Sequence, residues 1–371
     1  MSVTRLQLVN FRSYSEAEFK LHPGVTIVVG PNASGKTNLL ESLYVLSTTR
    51  SFRAPDVDLI SEGSNYFRIS AQAGDNELAI GLLTDNGKHK QVTHNNVKRS
   101  LARHLGTLPV VLFEPTDLDL VTGPPDIRRR YLDLILSQTD AHYLLALHRY
   151  RRVLKQRNTL LDSFDIEAVR GQIFAWDLKL AELATQIYDA RQQLVEVLNQ
   201  NLTSSYQSIA GQAPDIRVEY LASVDSDDYH NSFLEALARN LPRDLGAGFT
   251  TIGPHREDFA IHFGTGDMES TASRGEMRTA VLAFKLAELN YQAELTGLSP
   301  LFLLDDVFSE LDSQRRSRLV HHLGGYQTVI TTTDADAVLQ AITQPHAIIR
   351  TKRPGEAKAS TSKSRKTNAR S

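Results

Sequence analysis

The chain contains no cysteine. Disulfides and thiolate-held metals are excluded at once. No apolar run approaches the roughly 18 residues that a membrane span requires, and the opening stretch MSVTRLQLVNFRSY lacks the apolar core of a signal peptide. A cytoplasmic, membrane-free protein is the default expectation. There is no internal repeat. A strongly signed overall charge is also missing: the formal net charge is −2. That balance hides an asymmetry. Residues 350–371 are rich in Lys and Arg and carry Glu356 as their sole acid, so the body of the chain is acidic. Any nucleic-acid surface must then be a local patch rather than a global field.

What is present suits a globular protein: 371 residues, 41% hydrophobic and 23% charged, enough for one large or two ordinary domains. The chain is organised around residues 25–46. The run Val25-Thr26-Ile27-Val28-Val29 reads as a buried strand. Gly30-Pro31-Asn32-Ala33-Ser34-Gly35-Lys36-Thr37 follows, and Asn38 opens a helical pattern to about Leu46. This is strand–GxxxxGK[ST]–helix, the phosphate-binding loop. Glycines let successive N–H groups converge on one anion, and the helix start adds its dipole. Lys36 can reach the β- and γ-phosphates of ATP, and Thr37 can ligate Mg²⁺. An accidental glycine-rich turn is the bland alternative; the flanking strand and helix argue against it.

Short strands are expected at 3–10, 16–20, 66–73, 77–84 and 88–94, the last three as an antiparallel meander, and another at 109–113. From Ile127 to about Leu161 the apolar spacing is helical, and a second long helix runs from about 169 to 209. Joined by residues 162–165, the two predict an antiparallel αα-hairpin inserted into an α/β domain. The expected division is an N-terminal head part at 1–118, a helical lobe at 119–245, a C-terminal head part at 246–350, and a disordered basic tail at 351–371. Leu301–Leu304 is a continuous apolar run ending in Asp305-Asp306, as a central parallel strand would be. Ligands bind beyond the carboxyl ends of such strands. Asp305 is therefore expected to hold Mg²⁺, partly through water, opposite Thr37, and Asp306 to polarise the attacking water. A helix cap is the plainer reading of the pair. Because aspartate is short, slow hydrolysis serving as a switch is expected.

With these motifs in hand, the chain resembles the ABC-type ATPase heads of SMC-like proteins: Walker A, a long insertion, Ser273-Arg274-Gly275-Glu276-Met277-Arg278, Walker B, then Ser309-Glu310-Leu311-Asp312. It is similar in particular to the RecF family of replication and recombination-repair ATPases, on Asn10–Tyr14, Gly30–Asn38, Thr49–Arg53, Phe113-Glu114-Pro115, Gly123–Asp133, Gly253–Asp258 and Leu303–Asp312. The resemblance implies an ABC-type head with a mixed sheet and an inserted helical lobe. It implies ATP and Mg²⁺ as cofactors, with Arg12 added to the nucleotide-binding residues. It implies that Ser273 and Gly275 meet the γ-phosphate of ATP held by a second copy. ATP would then drive a homodimer that clamps duplex DNA beside single-strand gaps, acting with RecO and RecR to load recombinase.

The signature loop departs from the usual Ser-x-Gly-Gln-Gln-Arg at Glu276 and Met277. No Q-loop glutamine or H-loop histidine is evident, Thr332 and Thr333 standing where the latter would be. Candidate DNA contacts are Arg128, Arg129 and Arg130; Arg50 and Arg53; and the basic run His148, Arg149, Arg151, Arg152, Lys155 and Arg157. Each could equally be solvated or paired charge. An SMC-type chromosome-structure ATPase is disfavoured by arm length, and the missing cysteines exclude a cysteine-based zinc hook. The same P-loop would also suit an ABC transporter ATPase subunit or a P-loop kinase.

Overall fold

The computed structural model describes residues 2–352 apart from 86, 163–165, 213 and 226. In chain order it holds β1 (Val3–Phe11), β2 (Tyr14–Lys20), β3 (Val25–Val29), α1 (Lys36–Thr48), β4 (Tyr66–Ala73), β5 (Asn76–Leu83), β6 (His89–His94), β7 (Val97–Arg99), α2 (Leu101–His104) and β8 (Val110–Phe113). Next come α3 (Asp119–Thr122), α4 (Pro125–Thr139), α5 (Ala141–Leu161), α6 (Ile166–Ala210), β9 (Ile216–Leu221), α7 (Tyr229–Ala247), β10 (Asp258–Phe263), β11 (Gly266–Asp267), α8 (Met268–Thr271) and α9 (Arg274–Thr296). The chain closes with β12 (Leu301–Asp305), α10 (Val307–Glu310), α11 (Ser313–Leu323), β13 (Thr328–Thr332), α12 (Ala335–Ala341) and β14 (His346–Arg350).

Contacts divide the chain into two units, one of residues 1–117, 208–210 and 288 onward, the other of 118–207 and 211–287. Strand β10 pairs with β9, and the rings of Phe259 and Tyr131 both meet Phe284. The segment 246–287 therefore coheres with the helical unit. The basic tail from 353 onward lies outside the described residues, as does the centre of the 85–87 turn.

In the first unit the strands fall into two sheets of opposite character. One is antiparallel, in the order β2-β1-β4-β5-β6-β7; the other runs β14-β3-β13-β12-β8 and is parallel throughout. Strands β3, β8, β12 and β13 of the parallel sheet are buried runs such as Leu301–Leu304, as covering on both faces demands, whereas the edge strand β14 buries only Ile349. The three-residue strand β7, exposed throughout, carries no alternation that the sequence could have revealed. Helix α1 is buried at every position from Leu39 to Thr48 and touches strands of both sheets. A helix with no exposed face over these ten residues lies in the interior, its buried Glu41, Ser42, Ser47 and Thr48 included.

In the second unit the single helix expected from 127 to 161 is two helices. Asp140 is extended (φ −134°, ψ 110°), and its carboxylate accepts from the N–H of His142 at 2.7 Å, capping α5. An N-cap that satisfies an orphan donor is worth about 1 kcal/mol, and here it begins a new helix. Contacts between α5 and α6 step backwards along the chain, Arg157 to Asp177 and then Tyr143 to Arg191, so the two helices are antiparallel. The residues joining them, 163–165, lie outside the described part.

Candidate nucleotide site

The phosphate loop leaves the carboxyl end of β3 and curls through left-handed residues at Ala33 (φ 63°) and Gly35 (φ 90°). Gly35 is also the N-cap of α1, and no side chain caps that helix. The first-turn N–H groups therefore face the loop as a ready anion site. Lys36 Nζ donates to the carbonyls of Gly30 (2.8 Å) and Pro31 (3.0 Å). Burial pulls its pKa below the usual lysine value, and the charges of Asp306 and Asp305 partly oppose that. Pro31, Asn32 and Ala33 form the exposed rim of the loop, while Ser34 is buried beneath it. Tyr14 donates its hydroxyl to the carbonyl of Gly35 (3.1 Å), and Asn38 donates to Ser13 Oγ (2.8 Å), fastening the loop to the turn between β1 and β2.

Strand β13 lies between β3 and β12, so the loop and the acid pair emerge one strand apart at the same end of the sheet. There the Thr37 hydroxyl lies 3.1 Å from both Asp305 oxygens, and Thr331 Oγ1 donates to Asp305 Oδ1 at 2.5 Å. Thr331 Oγ1 also accepts from the N–H of Asp306 (3.0 Å). Sequence reasoning passed over Thr331 in favour of Thr332 and Thr333. Thr332 instead bonds to the backbone of Asp334. Asp306 is left-handed (φ 51°), and its Oδ1 is buried with no hydrogen-bond partner. Burial, above all, raises its carboxyl pKa, with the charge of Asp305 adding to the effect.

Beside the loop runs an open groove of about 540 Å³ lined by Arg12, Ser13, Asn38, Arg53, Ala54, Asp58 and Ile60. Its two arginines share one carboxylate. Glu41, fully buried on α1, accepts from Arg12 Nε (2.9 Å) and Nη2 (2.8 Å), from Arg53 Nη2 (2.7 Å) and from Ser51 Oγ (2.6 Å). A buried carboxylate survives only when paired in this way. Glu41 was missed in the sequence; its signal was a lone acid inside the apolar run Leu39-Leu40-Glu41-Ser42-Leu43.

In the second unit, Ser273 and Glu276 form a capping box at the start of α9. The Ser273 N–H and hydroxyl both donate to Glu276 Oε2 at 2.7 Å, and Glu276 N–H approaches Ser273 Oγ at 3.4 Å. The departure from glutamine thus puts a carboxylate on the signature serine, with Gly275 between them in the first turn and Met277 buried behind.

The candidate DNA residues separate by environment. Arg128 is held bidentate by Asp258 (2.8 and 2.7 Å), and Arg129 donates to the carbonyl of Glu257 (2.9 Å). Arg130 pairs with Asp126, Arg151 with Asp133, and Arg53 with Glu41. Arg157 does not belong to an exposed basic face. It is fully buried, bonded to Asp177 (2.6 Å), Asp244 (2.7 Å) and Thr250 (2.8 Å). Arg50 and Arg152 are exposed and have no ion pair among the described residues.

The segment Gly253–Asp258 proves to be a structural knot. The carbonyl of Pro254 accepts from the buried Arg191 (2.7 Å), and His255 bridges the hydroxyl of Tyr150 (2.7 Å) and the carbonyl of Thr250 (3.1 Å). Glu257 accepts from Tyr220 and Tyr229, each at 2.6 Å. Among the described residues, no group of three or more His, Cys, Asp or Glu is placed to hold a metal, and no helix is long and apolar enough to cross a membrane.

A P-loop and an acid-ended strand on one parallel sheet, with a long helical insertion between them in sequence, define an ABC-type ATPase head of the SMC-like kind. The RecF/RecN/SMC N terminal domain family model matches residues 2–355. The DNA replication and repair protein RecF of Lactobacillus johnsonii is 37% identical over 352 residues, spanning 91% of this chain and 94% of that protein. A solved structure of the recombination mediator protein RecF-ATP in the RecFOR pathway matches with a TM-score of 0.88 at 29% identity, covering 98% of each chain. One of RecF-ATPrS matches at 0.85 and 31% identity, over 95% of this chain and 96% of that one. The chain belongs to the RecF family of DNA replication and repair proteins.

Proposed function

We propose that the chain is an ATP-dependent DNA-binding protein of replication and recombinational repair, working in the cytoplasm. ATP is held by the 30–38 loop, with its phosphates on the N–H groups at the start of α1 and on Lys36, and with Arg12 at the side. The observation that carries the reading is the meeting of Thr37 with Asp305 at 3.1 Å. A hydroxyl and a carboxylate are hard oxygen donors. Thr37 and Asp305 are thus the residues that would hold Mg²⁺, and the ion, when bound, would supply neutralisation of the charge on the β- and γ-phosphates. Asp306, buried beside it, is suited to accept a proton from the attacking water. Its short reach and raised pKa favour slow turnover, a switch rather than a motor.

In the same reading, Ser273 and Gly275 of one copy complete the site of another, so ATP makes a homodimer and hydrolysis releases it. The dimer clamps duplex DNA next to single-strand gaps and acts with RecO and RecR in loading recombinase. Arg50 and Arg152, exposed and without an ion pair among the described residues, are available for phosphate contact, whereas Arg128 and Arg129 are spent inside their own unit. Gel filtration with and without ATP and gapped DNA tests the mechanism. The wild type is expected to dimerise with ATP, while Lys36→Met and Ser273→Arg remain monomeric; a wild type that stays monomeric would overturn it.

A further inference from the structure

The last described residues return to the phosphate loop. Strand β14 pairs in parallel with β3 up to the partners Arg350 and Val29. Thr351 carries the ladder one step further, donating its N–H to the carbonyl of Val29 at 2.8 Å. Its hydroxyl donates to the same carbonyl at 3.3 Å and lies 2.6 Å from Ser34 Oγ. A hydroxyl has one proton, and a carbonyl can only accept. With the Thr351 proton directed at Val29, Ser34 is the donor to Thr351. Both side chains are buried, at 7% and 4% exposure, so neither can exchange this bond for water.

Gly30 supplies an independent observation. Its φ is not positive, so the backbone there does not itself require glycine. What it requires is space: a Cβ at Gly30 would overlap Thr351 Oγ1, the Thr351 carbonyl and Ser34 Oγ. The first glycine of the motif thus makes room for the clasp between Ser34 and Thr351, across 317 positions of sequence.

We propose that Thr351 is a positioning residue of the nucleotide site, holding Ser34 so that the N–H groups of the loop converge on the phosphates. This rests on the ATP reading above. The physical link is short. Ser34 precedes the left-handed Gly35, which caps α1. A Ser34 side chain fixed from below sets the peptide planes on either side of it, and these carry donors to the loop. Without the Thr351 hydroxyl, Ser34 keeps a buried, unmatched proton, and the loop must turn to satisfy it. The residue after the clasp, Lys352, is exposed.

The test is Mg-ATP affinity of the full chain by equilibrium dialysis, alongside thermal unfolding. Thr351→Val keeps shape and loses the hydroxyl. It is expected to weaken Mg-ATP about tenfold, the scale of one buried hydrogen bond. Thr351→Ser should bind within about twofold of the wild type. Ser34→Ala reads the same clasp from the loop side without touching the β14 ladder, and should lose a similar factor. Because both changes break one bond, the double variant should be no weaker than the worse single. Wild-type affinity in both Thr351→Val and Ser34→Ala, or losses that multiply in the double variant, would overturn the proposal while leaving the ATP reading intact. A lowered melting temperature with unchanged affinity would mark Thr351 as merely structural and likewise overturn it. A wild type that does not bind Mg-ATP would overturn both.

Discussion

Thr37 and Asp305, 268 positions apart, stand with the hydroxyl of one 3.1 Å from each carboxylate oxygen of the other. The contact joins the start of α1 to the carboxyl end of β12, and Thr331 on the neighbouring strand β13 aims Asp305 by donating to it. Asp305→Asn keeps the shape and removes the charge. It is expected to lower Mg-dependent ATP turnover about 100-fold or more, since the metal supplies several kcal/mol of charge stabilisation. A phosphate-release assay across a Mg²⁺ titration checks this. Thr331→Val should give a smaller loss with a raised Mg²⁺ requirement.

Asp306 must be ionised to take a proton from water. Burial raises its pKa, so the active carboxylate is lost at a higher pH than for an exposed aspartate. Single-turnover hydrolysis should therefore fall with decreasing pH earlier than an ordinary carboxylate would dictate. Asp306→Asn should retain Mg-ATP binding and abolish the turnover. A rate that stays flat down to the usual aspartate range would reject Asp306 as the base.

Glu276 accepts from the Ser273 hydroxyl with a carboxylate oxygen. In the dimer reading, its charge opposes the γ-phosphate of the partner. Glu276→Gln keeps a hydrogen-bond acceptor without the charge. It should strengthen the ATP-dependent dimer about fivefold, as loss of a short-range like-charge contact at partial exposure would. Analytical ultracentrifugation across protein concentrations gives the shift; a weaker dimer would point instead to a need for the capping box.

Arg157 pairs with two acids inside the helical unit. Arg157→Met strands Asp177 and Asp244 and should cost about 3–5 kcal/mol of stability. The sole tryptophan, Trp176, adjoins Asp177 on α6, so urea unfolding followed by its fluorescence reports on this unit. Adding Asp177→Asn and Asp244→Asn to Arg157→Met should recover part of the loss.

His255 is held neutral. Burial lowers its pKa to about 4, and with the acceptor-only carbonyl of Thr250 at Nε2, the Tyr150 hydroxyl donates to Nδ1. The unfolded chain takes up this proton near pH 6.5 and the folded one only near 4. The stabilisation is thus complete above pH 6.5 and is lost as pH falls towards 4, to a total of about 3 kcal/mol. Melting curves read by Trp176 between pH 7 and 4 should show the decline, and His255→Asn should flatten it.

The legible parts of this protein were those whose chemistry is local. Val25–Thr37 announces strand, loop and helix within one window, and Leu301–Asp306 announces a buried strand and its acids. Asp140 escaped because the apolar spacing on either side of it continues in helical register, and only its extended backbone breaks the run. Arg157 was hidden by composition, sitting in a basic run. Its spacing from Tyr150 and Val153 put it on the buried stripe, and that periodicity was the better guide. The Ser34–Thr351 clasp and the shared counter-ion Glu41 depend on partners distant in sequence, which no window of residues can display.

Helix α1 has no water-facing side from Leu39 to Thr48, and this limits how the chain can diverge. Its first residues answer to the nucleotide and the next ten to the packing of two sheets. A descendant that abandoned ATP would be released from the first obligation and not from the second. The helix would then outlive its loop, and in such a relic Leu39, Leu40, Leu43 and Leu46 should still read as core while Lys36 and Thr37 drift.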